Sequence, residues 1–483
     1  MNWPLLSLLV FSPLLTAALL WCLPRRAARW ATAAGMLLTL ALSSALPLAY
    51  DPSGPRFQLL EQAEWIAGLR VQYLLAVDGL SVLFPASTAL LFLGALVAAW
   101  NRDAGDSRLY FSLLLGLESA TLGIFCAHDL ILFFVFWELT LIPVYFLLGR
   151  WPVTGGGAAV ASRYFLIMIA GGVPLLIAFV IAGSGSSGFD LGALLAAPLP
   201  AERQWLFFLL CLIGFGLKVP LVPLHTWLPQ FALAGPGALT ALLVGLKLGA
   251  FGLLRIAMPL APFVAQELHW LLVGLGTVSL LYGAVGMLAQ SNLRVSMAYA
   301  SICHVGLAVL GLASCTAQGV QGAVSLLLSF AVATGGAFLL LEFLRQRTGS
   351  TDIHALGGAA RTMPLLATGF LICGLAGVGM PGTSSFPGEF LLILSALERH
   401  TGAGMAALFG LSIAAGAFLS LYRKAFFGPV TRPEVAQAED LRPREWAVLV
   451  VLIGMVVVIG LYPGPWIDLL RPAAEAWAAG LSR

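Results

Sequence analysis

The stretch GLKVPLVPLHTWLP at residues 216–229 decides the fold of this chain. It ends a long apolar run, and each of its three prolines removes a backbone donor and disturbs the helix around it. Irregular backbone is tolerated at membrane depth only where protein or a water-filled cavity satisfies the freed polar groups. Because Lys218 lies beside the first of these prolines, the stretch predicts a discontinuous helix that lines a buried path.

A second stretch, GVGMPGTSSFPGEF at residues 377–390, has the same character. It combines prolines and glycines with an ionisable residue, Glu389. The two stretches are five predicted helices apart, and a five-helix unit that is repeated once inserts with the opposite topology. This arrangement indicates an inverted-repeat transporter whose path lies at its discontinuous helices.

The composition places these stretches in a membrane protein. Of the 483 residues, 60% are apolar and 10% are charged, whereas soluble proteins are about 45–50% apolar and about 25% charged. The apolar runs are long and apolar on every face, which is typical of membrane helices and not of an outer-membrane barrel. We therefore predict an all-α integral membrane protein of about 14 transmembrane helices, with two inverted five-helix repeats and two discontinuous helices. The predicted spans are 3–22, 30–49, 79–100, 109–127, 130–149, 159–183, 204–222, 236–257, 269–289, 295–314, 318–344, 365–395, 402–422 and 444–464.

The connections between these spans are short, so no soluble domain is expected. We expect no nucleotide, flavin, metal or other cofactor in this chain, and the net charge of +3 without a basic stripe argues against nucleic acid. The six cysteines are widely spaced and form no CxxC pair, which argues against metal centres and disulfide frameworks. The predicted division is residues 1–108 (helices 1–3), 109–258 (first repeat, helices 4–8), 259–423 (second repeat, helices 9–13) and 424–483 (helix 14 and tail).

Basic residues set the expected orientation, because lysine and arginine are more frequent in cytoplasmic loops. The connections after odd-numbered helices hold 16 of the 25 basic residues, and two more, Lys218 and Lys247, lie inside apolar segments. Both termini are therefore expected on the non-cytoplasmic side. The other connections and the tail hold seven basic residues: Arg56, Arg70, Arg203, Arg255, Arg399, Arg471 and Arg483.

The ionisable residues inside the apolar segments are the candidates for function, because a charge at the bilayer centre costs about 2.5–3.5 kcal/mol on insertion scales. A buried lysine loses its proton when it is desolvated, whereas arginine stays charged. An acid near such a lysine can be switched by a proton that arrives next door. The candidates are Glu118, Glu138, Lys218, Lys247, His304 and Glu389.

The simpler alternative is structural. Glu138 and Lys218 could form an ion pair that fixes helix packing, although two lysines and several acids in one lipid-embedded chain favour a proton relay. For Glu118 the structural and the functional interpretation are evenly balanced, and a lone histidine such as His304 is more often a packing residue. His225 is a possible relay residue because it lies within the first proline-rich stretch.

Seven motifs in this chain identify a family: FFVFWELTLIPVYFLLGRW, GFGLKVPLVPLHTWLP, LKLGAFGLLR, SMAYASICHVG, GMPGTSSFPGEFLLI, LYRKAFFGP and GLYPGP. They resemble the M-type antiporter-like subunit of proton-pumping NADH:quinone oxidoreductase, complex I, over residues 75–465. The wider superfamily includes multisubunit sodium/proton antiporters, membrane-bound hydrogenase modules and inorganic-carbon uptake complexes.

The resemblance implies roles for individual residues. Glu138 and Lys218 match the acid–lysine pair of the family's first half-channel, Lys247 matches its central lysine, and Glu389 matches the acid of the second broken helix. His225, His304 and Glu118 are possible further relay residues. The chain departs from the family pattern at several positions, which leaves the central part of the relay open to a different arrangement: Gln230, Phe231 and Ala232 after HTWLP, Phe330 in the eleventh helix, and Leu293–Arg294 before the tenth.

The expected function is that of a proton-translocating subunit of a complex I-like assembly in a bacterial inner membrane. Its partners would be other membrane subunits of that assembly and the lipid bilayer, and redox chemistry in partner subunits would drive transport. The transported ion would be the proton, with sodium as the alternative. Two alternatives stay open. The chain could belong to a cation/proton antiporter, a hydrogenase or an inorganic-carbon uptake complex, or it could be a structural anchor for a peripheral enzyme.

Overall fold

The computed structural model describes residues 4–101, 107–184, 188–197 and 199–481. Most of these residues are helical, and eleven helices are long and apolar enough to cross a membrane. Helices satisfy every backbone hydrogen bond within their own segment, as lipid surroundings require. The predicted multi-pass helical fold is therefore confirmed. Arg483 lies outside the described residues.

Three of the predicted spans are not among these eleven helices. Two of them contain shorter apolar helices, Phe84–Ala98 and Pro364–Gly377. The third contains Ala201–Lys218, which carries charged residues at both ends. The count of fourteen, the inverted-repeat relation and the four-part division therefore stay predictions.

The N-terminal part places a two-stranded sheet between helices. The predicted all-α fold did not include these strands, which occupy most of the connection 51–78. The elements are α1 (Leu5–Cys22), α2 (Ala28–Ala49), β1 (Gln58–Ile66), β2 (Val71–Val77) and α3 (Phe84–Ala98), with short 3₁₀ turns at Arg25–Ala27 and Ala67–Leu69.

The two strands form an antiparallel hairpin that is bound to the helices. Gln58 pairs with Val77 at one end, and Ile66 pairs with Val71 at the other. Glu61 of β1 accepts hydrogen bonds from the backbone N–H of Leu6 (2.7 Å) and of Ser7 (2.9 Å) at the start of α1. A carboxylate is favourable there because the first N–H groups of a helix lack partners within the helix.

The middle of the chain is divided into many short helices because three predicted spans are interrupted or end early. The elements are α4 (Ser107–Cys126), α5 (Leu130–Leu139), α6 (Leu141–Arg150), α7 (Gly157–Ser184), α8 (Leu191–Ala196), α9 (Ala201–Lys218), α10 (Trp227–Ala234), α11 (Gly237–Gly245), α12 (Leu248–Gly252), a π-helical turn (Leu253–Ala257), α13 (Met258–Leu260) and α14 (Pro262–Glu267).

The last part contains the longest helix, α17, and a helical C-terminal tail. The tail after the fourteenth predicted span forms α24, which packs on α17. The elements are α15 (His269–Leu288), α16 (Leu293–Leu312), α17 (Ala317–Thr348), α18 (Ile353–Leu356), a 3₁₀ turn (Ala359–Arg361), α19 (Pro364–Gly377), α20 (Ser385–Arg399), α21 (Thr401–Phe426), α22 (Pro433–Ala436), α23 (Pro443–Leu461) and α24 (Gly464–Leu481).

Both predicted interruptions are present. The first separates α9 from α10 at residues 219–226, where the backbone N–H of Val222 is satisfied by the hydroxyl of Ser279 on α15 at 2.9 Å. The second separates α19 from α20 at residues 378–384, where Gly379 and Gly382 have positive φ angles. Such angles are open to glycine at little cost.

A third interruption, between α11 and α12, was not predicted. The chain leaves the helix at Leu246 and Lys247, although no proline lies there. Beyond the break, a Cβ at Gly249 would lie 2.5 Å from the carbonyl oxygen of Phe215 on α9. The break therefore accompanies a close approach of α12 to the end of α9, which only glycine permits.

The interior of the bundle is formed by α11–α13, α16 and α17. Buried residues make up 94% of the apolar window in Gly237–Leu260 and only 22% in Pro443–Leu461. Helices such as α23 and α7 therefore present apolar side chains outward. The interrupted helices α9 and α20 contact this interior, which places Lys218 and Glu389 inside the bundle.

Candidate functional site

Lys218 is the last residue of α9, and its side chain is buried against the junction of α5 and α6. Its Nζ donates a hydrogen bond to the hydroxyl of Thr140 at 2.9 Å and one to the carbonyl oxygen of Trp137 at 3.2 Å. The same ammonium group lies 3.8 Å from the centroid of the Trp137 ring, within the range of cation–π attraction. The helix ends here because Pro220 disfavours helical geometry at the preceding residue, Val219.

Glu138 lies on α5 beside the same junction, and its carboxyl packs against the α7 backbone. A Cβ at Gly172 would lie 2.2 Å from Glu138 Oε1, so glycine makes room for the acid. Oε1 is buried and accepts no hydrogen bond from the described residues. Among these residues no ion pair within 4.0 Å joins Glu138 to Lys218. The acid and the lysine are therefore neighbours at one junction without direct contact, and their role as a switching pair stays a prediction.

Lys247 occupies the third interruption, as the residue before α12. Its Nζ donates hydrogen bonds to the carbonyl oxygen of Val244 and to the hydroxyl of Ser301 on α16, the latter at 2.5 Å. It also lies 5.1 Å from the ring centroid of Phe330 on α17. Within the described part of the chain, Lys247 forms no ion pair with a carboxylate. The amine is thus held by neutral groups only.

His304 and Glu389 meet across the second interruption. His304 Nδ1 lies 2.6 Å from the carbonyl oxygen of Ala300, which only accepts, so Nδ1 carries a hydrogen. Its Nε2 lies 3.5 Å from Glu389 Oε1. The other carboxyl oxygen, Oε2, occupies the space that a Cβ at Gly379 would fill, at a distance of 1.8 Å. His304 Nε2 and Glu389 Oε1 are therefore buried neighbours that form no hydrogen bond in the described part of the chain.

These groups are arranged in sequence through the interior. A cavity of about 20 Å³ is lined by Lys218, Thr140, Leu246 and Leu248, and the last two flank Lys247. A cavity needs about 10–15 Å³ to hold one water molecule, so this one has room for a water beside Lys218. Lys218 therefore faces a small cavity whose wall includes both sequence neighbours of Lys247 but not Lys247 itself.

Phe330 separates the central lysine from the second interruption. Its ring centroid lies 5.1 Å from Lys247 Nζ and 5.6 Å from the centroid of the His304 ring. Ser301, which binds Lys247, is on the same helix as His304 and three residues away, so both side chains lie on one face. The hydroxyl of Ser301 and the ring of Phe330 therefore lie between Lys247 and His304.

Two further candidates lie apart from these groups. Glu118 is fully buried on α4, and neither of its carboxyl oxygens has a hydrogen-bond partner among the described residues. His225 lies in the first interruption with its ring 4.8 Å from that of Tyr282, which is 45% exposed. His225 itself is buried, at 6% exposure, beside this partly exposed ring.

Three of the departures from the family pattern lie in α10. Gln230 accepts a hydrogen bond of 2.9 Å from Arg163 at an exposed position. Phe231 and Ala232 are buried, and the Phe231 ring packs 5.1 Å from that of Tyr164. These residues serve the packing of α10 on α7, and in the part of the chain that the structure describes none of them forms a hydrogen bond with Lys218 or Lys247.

A buried charge cluster was missed by the sequence analysis. Arg255, which had been assigned to a loop, is buried in the π-helical turn and forms an ion pair of 2.6 Å with Asp78. Its Nη2 also lies 3.4 Å from His128 Nδ1, which must accept, because arginine only donates. The signal was available in the sequence, since Arg255 lies inside the predicted span 236–257.

The protonation states of this cluster follow from burial and charge. Burial by itself raises the pKa of Asp78, but the Arg255 guanidinium and its hydrogen bond bring that pKa below the ordinary value of 3.8. Burial, together with the nearby Arg255, lowers the pKa of His128 from 6.5 to about 3. Asp78 is therefore ionised and His128 neutral near pH 7. The cluster ties the end of β2 to the interior helices.

The chain was compared with known protein families, curated proteins and solved structures. Residues 127–414 match the family described as NADH:quinone oxidoreductase/Mrp antiporter, TM. This range contains Glu138, Lys218, Lys247 and Glu389.

Several curated proteins are similar over nearly the whole chain. NADH-quinone oxidoreductase subunit M of Rhodobacter capsulatus is 33% identical over 493 residues, covering 97% of this chain and 95% of the relative. Subunit M of Mycobacterium tuberculosis is 33% identical over 520 residues, covering 98% of this chain and 94% of the relative.

Two solved structures have a similar fold. A chain of respiratory complex I from Thermus thermophilus with bound NADH has a TM-score of 0.91 and 34% identity, covering 99% of both chains. A chain of the Mrp complex from Dietzia sp. DQ12-45-1b has a TM-score of 0.88, with 99% of this chain and 98% of that chain covered. At 22% identity, the second likeness concerns the fold alone.

Proposed function

This chain belongs to the NADH:quinone oxidoreductase/Mrp antiporter transmembrane family, and we propose that it is the M-type proton-translocating subunit of a complex I-like NADH:quinone oxidoreductase. Subunit M proteins are its relatives over almost their full length, and the fold matches a chain of respiratory complex I. Its partners are other membrane subunits of that assembly. The chain acts as part of a translocase, and redox chemistry takes place in other subunits of the complex.

The observation that carries the proposal is the file of titratable groups through the interior. Lys218 and the neighbouring Glu138 form its first part, Lys247 its centre, and His304 with Glu389 its last part. Each of the two lysines is held by neutral oxygens. An ammonium without a carboxylate in direct contact is free to lose its proton when the local potential changes.

The proposed sequence of steps follows this geometry. A proton that reaches Glu138 removes the negative charge nearest Lys218, and the lysine then releases its own proton toward the cavity. Lys247 takes up that proton and later passes one through Ser301 toward His304 and Glu389. Moving one charge against 100 mV requires about 2.3 kcal/mol, and a pKa change of one to two units corresponds to about 1.4–2.7 kcal/mol. Changes of ordinary size at buried groups therefore suffice.

Two further statements belong to the proposal. The chain holds no cofactor or metal of its own. It lies in a bacterial inner membrane with both termini on the non-cytoplasmic side. The 16 basic residues in the connections after the odd-numbered predicted spans support this orientation. Labelling of single cysteines introduced in the loops of inverted and right-side-out vesicles would test the orientation, and labelling of the termini from the cytoplasmic side would reject it.

The central experiment measures proton pumping by the intact complex. Glu138→Gln and Lys247→Ala are expected to abolish most pumping while the complex still assembles, because each removes one titratable group from the file. Gly454→Ala on α23 serves as the matched control, since a Cβ there meets nothing within 4 Å. An unchanged ratio of protons to electrons in both variants would overturn the assigned roles.

The alternative of a cation/proton antiporter uses the same file of groups, and the likeness to an Mrp complex chain concerns the fold alone. Purification of the chain from native membranes separates the two functions. Quinone-reductase subunits in the purified complex would support the proposal, whereas small antiporter subunits would support the alternative.

A further inference from the structure

A cavity of about 480 Å³ lies among α2, α3, α17, α20, α23 and α24, and neither Lys218 nor Lys247 lines it. None of its lining side chains is charged. Six of the lining residues carry polar side-chain atoms: Ser44, Ser87, Ser325, Ser329, Ser384 and Trp466. The remaining wall consists of aliphatic side chains, alanine, methionine and proline.

Most of this surface cannot bind water firmly. The hydroxyl of Ser87 already donates to the carbonyl oxygen of Phe84 at 2.9 Å, and Ser329 and Ser384 bind each other at 2.5 Å. A water molecule needs two to four polar partners, and apolar cavities of this kind stay dry. The cavity is therefore suited to an apolar occupant.

The surroundings of the cavity indicate which apolar molecule is available. It is lined by α2 and α23, and these helices expose large apolar side chains such as Leu37, Leu38, Val450 and Val457. In a membrane protein such surfaces face lipid or a neighbouring membrane subunit. Acyl chains are the most abundant molecules at this depth of a bilayer.

Two polar atoms of the lining have no partner. Trp466 Nε1 and Ser325 Oγ are buried and form no hydrogen bond among the described residues. An indole N–H only donates and usually finds an acceptor when it is buried. Tryptophan is also enriched where a membrane meets water. The ester groups of a phospholipid lie at that level and supply carbonyl oxygens as acceptors.

We propose that this cavity binds one acyl chain of a membrane phospholipid, with an ester carbonyl oxygen that accepts a hydrogen bond from Trp466 Nε1. The occupant is a diacyl lipid because the site combines a long apolar cavity with neutral hydrogen-bonding groups and lacks charged side chains. The head group remains outside the cavity.

The occupant would also touch the second interrupted helix. Ser329 of α17 is bonded to Ser384 at 2.5 Å and to Ser385 at 2.8 Å, at the start of α20. Glu389 lies four residues after Ser385, one helical turn away. A bound lipid would therefore lie one helical turn from Glu389, and an effect of the lipid on proton transfer there rests on the proposed function. The binding of the lipid does not depend on that function.

The test uses the assembled complex in liposomes that contain phosphatidylglycerol with a photoreactive diazirine in mid-acyl chain. After irradiation, labelled peptides are mapped by mass spectrometry, and labels are expected within 325–332 and 451–459. Ala86→Phe places a ring in the cavity from α3 and should reduce these labels about tenfold. Ala170→Phe, at an exposed position on α7, is the matched control and should leave them unchanged.

A second variant keeps the test decisive if Ala86→Phe fails to assemble. Trp466→Phe retains an aromatic ring but loses the donor, and it should reduce labelling about threefold, as expected for one lost hydrogen bond. The proposal is rejected if the cavity segments of the unmodified complex stay unlabelled while exposed α7 is labelled. It is also rejected if only a polyprenyl probe labels them, or if a neighbouring subunit occupies the cavity. Because labelling does not depend on pumping, either proposal can fail alone.

Discussion

Gly379→Ala is the sharpest test of the contact between His304 and Glu389. Gly379 lies in the second interruption with a φ of +68°, and a Cβ there would lie 1.8 Å from Glu389 Oε2. An ordinary van der Waals contact begins at 3.4 Å. The difference, 3.4 minus 1.8, is 1.6 Å, so the carboxyl must move by that distance or the backbone must change.

Both adjustments disturb the proton contact. His304 Nε2 and Glu389 Oε1 are already 3.5 Å apart and form no hydrogen bond among the described residues, so a larger separation hinders proton transfer further. An alanine in the left-handed region costs about 1–2 kcal/mol in addition. Such a cost lowers the population of the native arrangement by a factor of about 5–30. Proton pumping by the complex should fall by a similar factor, while assembly is retained.

The assay is the ratio of protons pumped to electrons transferred by the purified complex in liposomes. Gly377→Ala is the matched control, because it lies two residues away at the end of α19 and its Cβ would meet nothing within 4 Å. Normal pumping by Gly379→Ala would show that the space at Gly379, which the Glu389 carboxyl occupies, is not needed for proton transfer. Equal losses in both variants would show that the interruption as a whole, and not this contact, is sensitive.

Three further predictions concern the other buried groups. Asp78→Asn leaves Arg255 buried without a counter-charge and should cost about 3–5 kcal/mol of stability. Because the pKa of Asp78 is lowered in the folded chain, its contribution to stability is present above pH 3.8 and is lost as the pH falls further. A thermal unfolding midpoint of the variant equal to that of the unmodified complex would contradict the predicted cost. The pKa of His128 is about 3 in the folded chain, against an ordinary value of 6.5, so below pH 6.5 the unfolded chain binds one more proton than the folded chain. Stability should therefore fall below pH 6.5 by up to about 1.4 kcal/mol per pH unit. His128→Phe should flatten this slope, and an unchanged slope in denaturant titrations would contradict the role of His128. Lys218→Arg keeps the positive charge near Thr140 but cannot release a proton, so pumping should be lost in an assembled complex, and normal vesicle acidification would exclude deprotonation of this residue.

The sequence predicted the features that depend on local chemistry. Apolar runs of about 20 residues form membrane helices in any context, since lipid leaves the backbone no other partner. Pro220 and Pro381 cannot donate backbone hydrogen bonds, so the interruptions after Lys218 and before Glu389 follow from residue type. The candidate charges were found for the same reason, because a lysine in an apolar segment is conspicuous wherever it is placed.

Other features depend on contacts between distant residues. The hairpin at 58–77 was missed because its outer strand contains charged and amide residues and is fixed only through the contact of Glu61 with α1. The ion pair of Arg255 with Asp78 joins residues 177 positions apart, so the pairing could not be read from the sequence, although Arg255 lies inside the predicted span 236–257.

What the sequence by itself determined is a helical membrane protein with two proline-broken helices and titratable groups in its interior. Only the tertiary structure decided that the helix also breaks at Lys247, where α12 approaches α9 at Gly249. It also decided that Lys218 binds the α5–α6 junction and not the carboxyl of Glu138. The reason is physical: backbone chemistry and hydrophobicity act within a segment, whereas the partner of a buried charge is chosen by which helices pack against it.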